Sequence, residues 1–253
     1  MTSGITTYLN SLPRISLGII FLLFGIDKFV FHERLVSWFL VTDRARELLP
    51  TQDIAMFVYV LGAVELVIAA LLFSGIIVRA TSIATTVILI TIIAVAQYPS
   101  SFPQDIGLIG ISVMLILSPA GWRSRINQTR FSSLVRVSIG TVLVIWGIDY
   151  LLNTSTHVAW LQLFNTTVRV MPSDFTYAMI ISIAIIEIAI GIVLASGKKT
   201  REISIVAFAF FVVAYTLLAP PLNNYQSIGL AIASAWLAYV AIMKQRKSPL
   251  SLS

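Results

Sequence analysis

Eight apolar runs, parted by short polar or proline-bearing breaks, leave this chain little room to build anything else. They lie near 12–31, 53–74, 78–98, 104–119, 134–153, 174–195, 202–220 and 225–243. At about 1.5 Å of rise per residue, some 20 apolar residues cross a hydrocarbon core about 30 Å thick. Lipid offers the backbone no hydrogen bonds, so each run is expected to satisfy its own as a helix. The expectation is therefore an all-α membrane protein with eight transmembrane helices. The fourth run is the shortest and begins with Pro103, Gln104 and Asp105. No small-residue cleavage site closes the first run, which is read as a helix and not as a removed leader.

Composition excludes the other classes. Only 11% of residues are charged, against about 25% in a soluble domain. An ordinary cytosolic enzyme, a disordered chain and a nucleic-acid-binding domain are all set aside. The chain has no cysteine, which removes disulfides, thiolate chemistry, iron–sulfur clusters and cysteine-based zinc sites. Its two histidines, His32 and His157, cannot carry an internal multi-haem path. No Walker motif, dinucleotide fingerprint, nucleophile triad or HExxH is present, and no metal site is expected.

The sequence also repeats itself at a constant offset of 122 residues, without a gap. Arg14 maps to Arg136, Gly18 to Gly140, Gly25 to Gly147 and Asp27 to Asp149. Trp38 maps to Trp160, Pro50 to Pro172, Glu65 to Glu187 and Gly75 to Gly197. Arg79, Pro99, Gln104 and Gly107 map to Arg201, Pro221, Gln226 and Gly229. Matches among Ile, Leu and Val arise by chance in membrane proteins, whereas matched Arg, Asp, Glu, Trp and Pro do not. The expected organisation is a four-helix unit over 1–119, a basic cytoplasmic linker over 120–133, and a second four-helix unit over 134–253. Units of four spans share one orientation, as parallel repeats about an axis along the membrane normal.

Loop charge orients the bundle. Twelve of the 17 Lys and Arg fall on the side that holds both termini and the 75–79, 120–136 and 197–202 breaks. The positive-inside rule then makes both termini cytoplasmic, in a cell membrane crossed many times. On the opposite side, 32–52 and 154–173 are too long for tight turns. Each is expected to form a short helix in the interface, with Trp38 or Trp160 at headgroup level and Pro50 or Pro172 closing it.

Glu65 and Glu187 are the acids nearest mid-membrane, each in the second span of its unit. Each has small residues three before and four after: Gly62 and Ala69, Ala184 and Gly191. A carboxylate so flanked faces another helix. It costs a few kcal/mol there unless paired or neutral. On the first span, Arg14, Gly18, Gly25 and Lys28 share an arc of about 80° at 100° per residue. Side chains lean toward their own helix N-terminus. Lys28 and Glu65, on antiparallel neighbours, therefore lean toward each other and form a candidate buried ion pair. In the second unit Tyr150 stands where Lys28 would. Glu187 is then expected to face Tyr150 or another neutral donor and to rest protonated. Both acids remain open to a structural or a proton- or ligand-handling role. Secondary candidates are Arg14 and Arg136 as cytoplasmic anchors, Asp27 and Asp149 as interfacial acids, and Gln104 and Gln226 beside an outer vestibule.

The run Arg14-x3-Gly18-x6-Gly25-x2-Lys28, then Gly62-x2-Glu65, Gly75 and Arg79, resembles the DoxX/DoxD-like integral membrane proteins. The resemblance covers 12–118 and again 134–242, as a fused tandem. That family includes the membrane subunit of an archaeal thiosulfate:quinone oxidoreductase. The resemblance implies an accessory or anchor subunit of a larger membrane-bound redox complex. It also implies membrane partner subunits and a quinone or bound lipid as the ligand, with no intrinsic cofactor. Lacking a self-contained catalytic motif, the chain would act at most as one subunit of an oxidoreductase. A purely structural assembly subunit and a small-molecule transporter stay open as alternatives. The absence of Gly/Pro breaks at mid-span weighs against the transporter.

Overall fold

The structure, a computed structural model, describes residues 11–41, 47, 50–95, 102–117, 125–164, 168–218 and 225–245. These residues are helical without a strand. The helices are α1 (Leu12–Val30), α2 (His32–Val41), α3 (Ile54–Ser74), α4 (Val78–Val95), α5 (Phe102–Leu117), α6 (Arg125–Leu152), α7 (Thr154–Phe164), α8 (Ser173–Ser196), α9 (Thr200–Leu218) and α10 (Tyr225–Gln245). Among the described residues four stretches are long and apolar enough to cross a membrane: Thr51–Ser74, Phe131–Leu152, Ser173–Ser196 and Tyr225–Gln245. Val78–Ala94 and Asp105–Leu117 are shorter apolar helices. α1 is apolar but carries Arg14, Asp27 and Lys28. The chain is a membrane protein with several apolar helices.

Local signals explain most boundaries. Pro13 opens α1, where its missing N–H is not needed. Pro50 and Pro172, both with extended ψ, precede the helical turns that lead into α3 and α8. Gly75 (φ 72°) and Gly197 (φ 79°) end α3 and α8 in the left-handed conformation that glycine adopts without penalty. The chain turns left-handed again at Ile77 and Lys199, both at φ 47°. Ser74 and Ser196 bridge each turn by accepting from Ile76 N and Lys198 N.

The basic 120–133 stretch is not a loop throughout, because α6 already begins at Arg125. No Gly or Pro lies between Arg125 and Ile139, so nothing breaks the helix before the apolar run. The two interface segments each hold a short helix, α2 and α7. Phe39 of α2 packs against Ile54 and Val58. Val158 and Leu161 of α7 pack with Val168 and Ile180. The side chains of Trp38, Trp160 and Gln104 lie outside the described residues.

Four helices make the centre. Leu17, Ile20 and Phe21 of α1, Leu108 and Ile111 of α5, Ile139 and Val142 of α6, and Leu230 and Trp236 of α10 share one buried cluster. α5 and α10 cross over. α5 packs more extensively on α6 than on α1, and α10 packs more extensively on α1 than on α6. Gly107 of α5 sits against Val142, and Gly229 of α10 sits against Ile20. These two contacts are related by the 122-residue offset at both ends. α3, α4, α8 and α9 flank this centre and turn apolar side chains outward, among them Val64, Val67, Val87, Ile185, Ile192 and Val213. An apolar exterior around a packed interior is what a lipid solvent selects.

Candidate functional site

α3 meets α1, and α8 meets α6, at close crossings of small residues. A β-carbon on Gly25 would come within 3.0 Å of the Gly62 carbonyl oxygen, and one on Gly147 within 2.5 Å of the Ala184 carbonyl oxygen. Backbones this near bring the side chains beside the crossing into contact.

Beside the first crossing lies an ion pair. Lys28 Nζ donates to Glu65 Oε1 at 2.9 Å and lies 2.7 Å from Oε2, the latter an ionic contact without hydrogen-bond geometry. Glu65 is fully buried and Lys28 is 8% exposed. Lys28 Nζ also approaches the Phe24 carbonyl at 3.4 Å and the Phe24 ring at 5.3 Å. Its cation is thus met by carboxylate, carbonyl and π-face. Asp27, also buried, accepts from Tyr225 of α10 at 3.4 Å, and the Tyr225 ring meets Phe24 edge-on. Tyr225 was not singled out from the sequence. It reaches this site only because α10 crosses over to α1.

The second site has the same acid and different surroundings. Glu187 is 1% exposed, and its Oε2 has no hydrogen-bond partner among the described residues. The expected neutral donor does not occupy that oxygen. The Tyr150 ring is instead held between Trp146, stacked at 6.4 Å, and His157, edge-on at 4.6 Å. Asp149, read as an interfacial acid, contacts the outer segment that follows α6. His157 Nε2 lies 2.8 Å from its Oδ2, and Asn153 Nδ2 donates to its Oδ1 at 2.7 Å. His157 was passed over because the repeat places Leu35 at its counterpart. Its spacing of eight residues from Asp149, across a helix break, was the available signal.

Arg14 and Arg136 are more than membrane-surface anchors. A β-carbon on Gly75 would collide with Nη1 of Arg14, and one on Gly197 with Nη1 of Arg136. Each guanidinium therefore lies against the glycine that caps α3 or α8, where the helix dipole presents about half a negative charge. Gly75 and Gly197 are glycine for two reasons, positive φ and this close approach. Gln226 is buried at the start of α10. His32 stacks on Tyr59 with ring centroids 3.6 Å apart. Among the described residues no group of three or more His, Asp or Glu comes together as a metal site.

Residues 9–97 match the DoxX family model. The match runs from the residues just before α1 to just past α4. No curated protein and no solved structure matches the chain.

Proposed function

We propose that the chain is an accessory subunit of a larger membrane-bound redox complex, in which the second half supplies a proton or quinone site beside Glu187. In this reading 1–119 and 134–253 are tandem DoxX-like units of four spans each. Both termini face the cytoplasm, and the redox centres belong to partner subunits. The observation that carries it is the contrast between matched acids: Glu65 is ion-paired with Lys28, whereas among the described residues Glu187 has no ion pair and a buried oxygen without a hydrogen-bond partner. A buried polar atom without a partner is costly, so retaining one argues for a use.

The surroundings fit a quinone headgroup. Glu187 offers a carboxyl at mid-bundle, and Tyr150 and the Asp149–His157 couple supply further polar groups on the same side. A bound quinone would supply reversible two-electron, two-proton chemistry. The chain's own part is to orient a headgroup and to hold a proton at Glu187. The flat aromatic faces of Trp146 and Tyr150 are suited to lie along a ring.

Purification in mild detergent, followed by subunit identification and haem, iron and copper analysis, tests the partnership. Quinone reduction by the co-purified complex, with and without Glu187→Gln, tests the site. The expected result is a redox partner whose quinone activity falls on the order of a hundredfold in Glu187→Gln, as for loss of an acid–base group. A chain that purifies alone, or a complex indifferent to Glu187→Gln, overturns the reading in favour of a purely structural subunit.

A further inference from the structure

We infer that His157 is a proton relay for Glu187, carrying its proton between the bundle interior and water, with Asp149 as the residue that positions and charge-balances it. This deepens the reading of Glu187 as a proton-handling acid and rests on it, but needs neither a quinone nor a partner.

The geometry starts from the end of α6. That helix stops at Leu152, and α7 starts at Thr154. Thr154 Oγ1 donates to the Tyr150 carbonyl at 2.7 Å, and His157 N donates to the Asn153 carbonyl at 3.1 Å. These bonds, each four residues back along the chain, tie the first turn of α7 to the last turn of α6. His157 is thereby placed on Asp149 at 2.8 Å and against the edge of Tyr150. The side chains of His157 and Asp149 are 18% and 13% exposed, so this couple touches solvent while Glu187 does not. Asp149 and Tyr150, adjacent on α6, both lie within electrostatic reach of Glu187 on α8. Asp149 and Tyr150 come from α6, which meets α8 at the Gly147–Ala184 crossing, and His157 of α7 touches both. Asp174, the other acid of α8, lies in its first turn.

The step balances simply. Glu187 gives up the proton of its carboxyl group, and a neutral imidazole of His157 receives one at a ring nitrogen. A carboxylate and an imidazolium result, no electron moves, and the existing charge of Asp149 offsets the imidazolium. Reversal returns the proton, and water exchanges it at the exposed edge of His157. A histidine hydrogen-bonded to a carboxylate through one ring nitrogen keeps the other free to take up and release a proton. The first half shows what the device replaces. There the Tyr150 position is Lys28, the His157 position is Leu35, and the acid is locked in its ion pair.

Infrared spectroscopy of the full chain in detergent micelles, moved from H2O to D2O, reads the relay directly. A carboxylic-acid carbonyl band that disappears in Glu187→Gln identifies the acid, and its shift in D2O times the exchange. Exchange should slow on the order of a hundredfold in His157→Leu, the usual cost of losing a general acid–base group. Imidazole added to the buffer should restore it in part. His157→Gln, which keeps a donor toward Asp149, should fold as the parent yet exchange slowly. Absence of any Glu187-dependent acid band would remove the protonated-acid reading itself. A band that exchanges at the parental rate in both His157→Leu and His157→Gln would overturn the relay alone.

Discussion

Lys28 Nζ lies within 2.9 Å of both carboxylate oxygens of Glu65, beside the Gly25–Gly62 crossing of α1 and α3. Such a pair contributes little net stability compared with a well-packed apolar pair, because desolvation consumes most of the attraction. Removing one partner is different, since it strands the other charge. Lys28→Met should therefore destabilise the protein by about 3–5 kcal/mol, read as loss of thermal stability in detergent. Lys28→Met combined with Glu65→Leu should recover much of that loss. Tyr150→Phe should cost clearly less than Lys28→Met. Equal losses for the two single variants would mean that Lys28 and Glu65 are not coupled.

Glu187→Gln should behave unlike Glu65→Gln. The amide has nearly the shape of a protonated carboxyl group, so at Glu187 it should change thermal stability by less than about 1 kcal/mol. At Glu65 it leaves Lys28 buried without its counter-charge, at a cost of about 3–5 kcal/mol. Thermal denaturation of the two variants side by side checks the order. A larger loss at Glu187 would show that its carboxylate is ionised and paired.

Gly75→Ala and Gly197→Ala should each destabilise by more than about 1 kcal/mol, since both meet a positive φ and an arginine at once. Arg14→Ala should relieve part of the Gly75→Ala penalty but none of the Gly197→Ala penalty. Arg136→Ala should do the converse. A double-mutant cycle on thermal stability measures this coupling.

Gly229→Leu should disrupt the bundle more than Ile232→Leu, because any side chain at Gly229 collides with Ile20 of α1. Ile20→Ala should partly rescue Gly229→Leu, by making room at that contact. Recovery of monodisperse, folded protein from the double variant, and not from the single one, is the expected readout.

Much of this was legible in the sequence, for physical reasons. Long apolar runs determine helices in lipid. The lean of side chains along antiparallel helices was enough to bring Lys28 toward Glu65. The crossing of α5 onto α6 and α10 onto α1 was not legible, because helices apolar on most faces do not advertise which neighbour they prefer. That crossing is also why Tyr225 went unnoticed. The start of α6 was read too late because apolarity was the criterion, whereas helix breakers set the boundary. His157 escaped because attention fell on residues kept at the 122-residue offset, and a device present in one half alone is invisible to that comparison. Tyr150 was noticed for the opposite reason, as a departure at a matched position. Its hydroxyl was expected at Glu187, yet its ring is fixed by Trp146 and His157, which a helical projection of α6 alone does not display.

The crossing of α5 and α10 also bears on how the chain is made. A membrane protein is inserted from its N-terminus as it is synthesised. α1 is present first, yet its Ile20 and Phe24 meet Gly229 and Tyr225 of α10, the last described helix. α5 likewise waits for α6. The first half is therefore a half-built object throughout synthesis of the second, with a small-residue seam facing lipid or an insertion factor. A ribosome that stops after α9 would leave a product that lacks one described helix, and whose oldest surface was never closed.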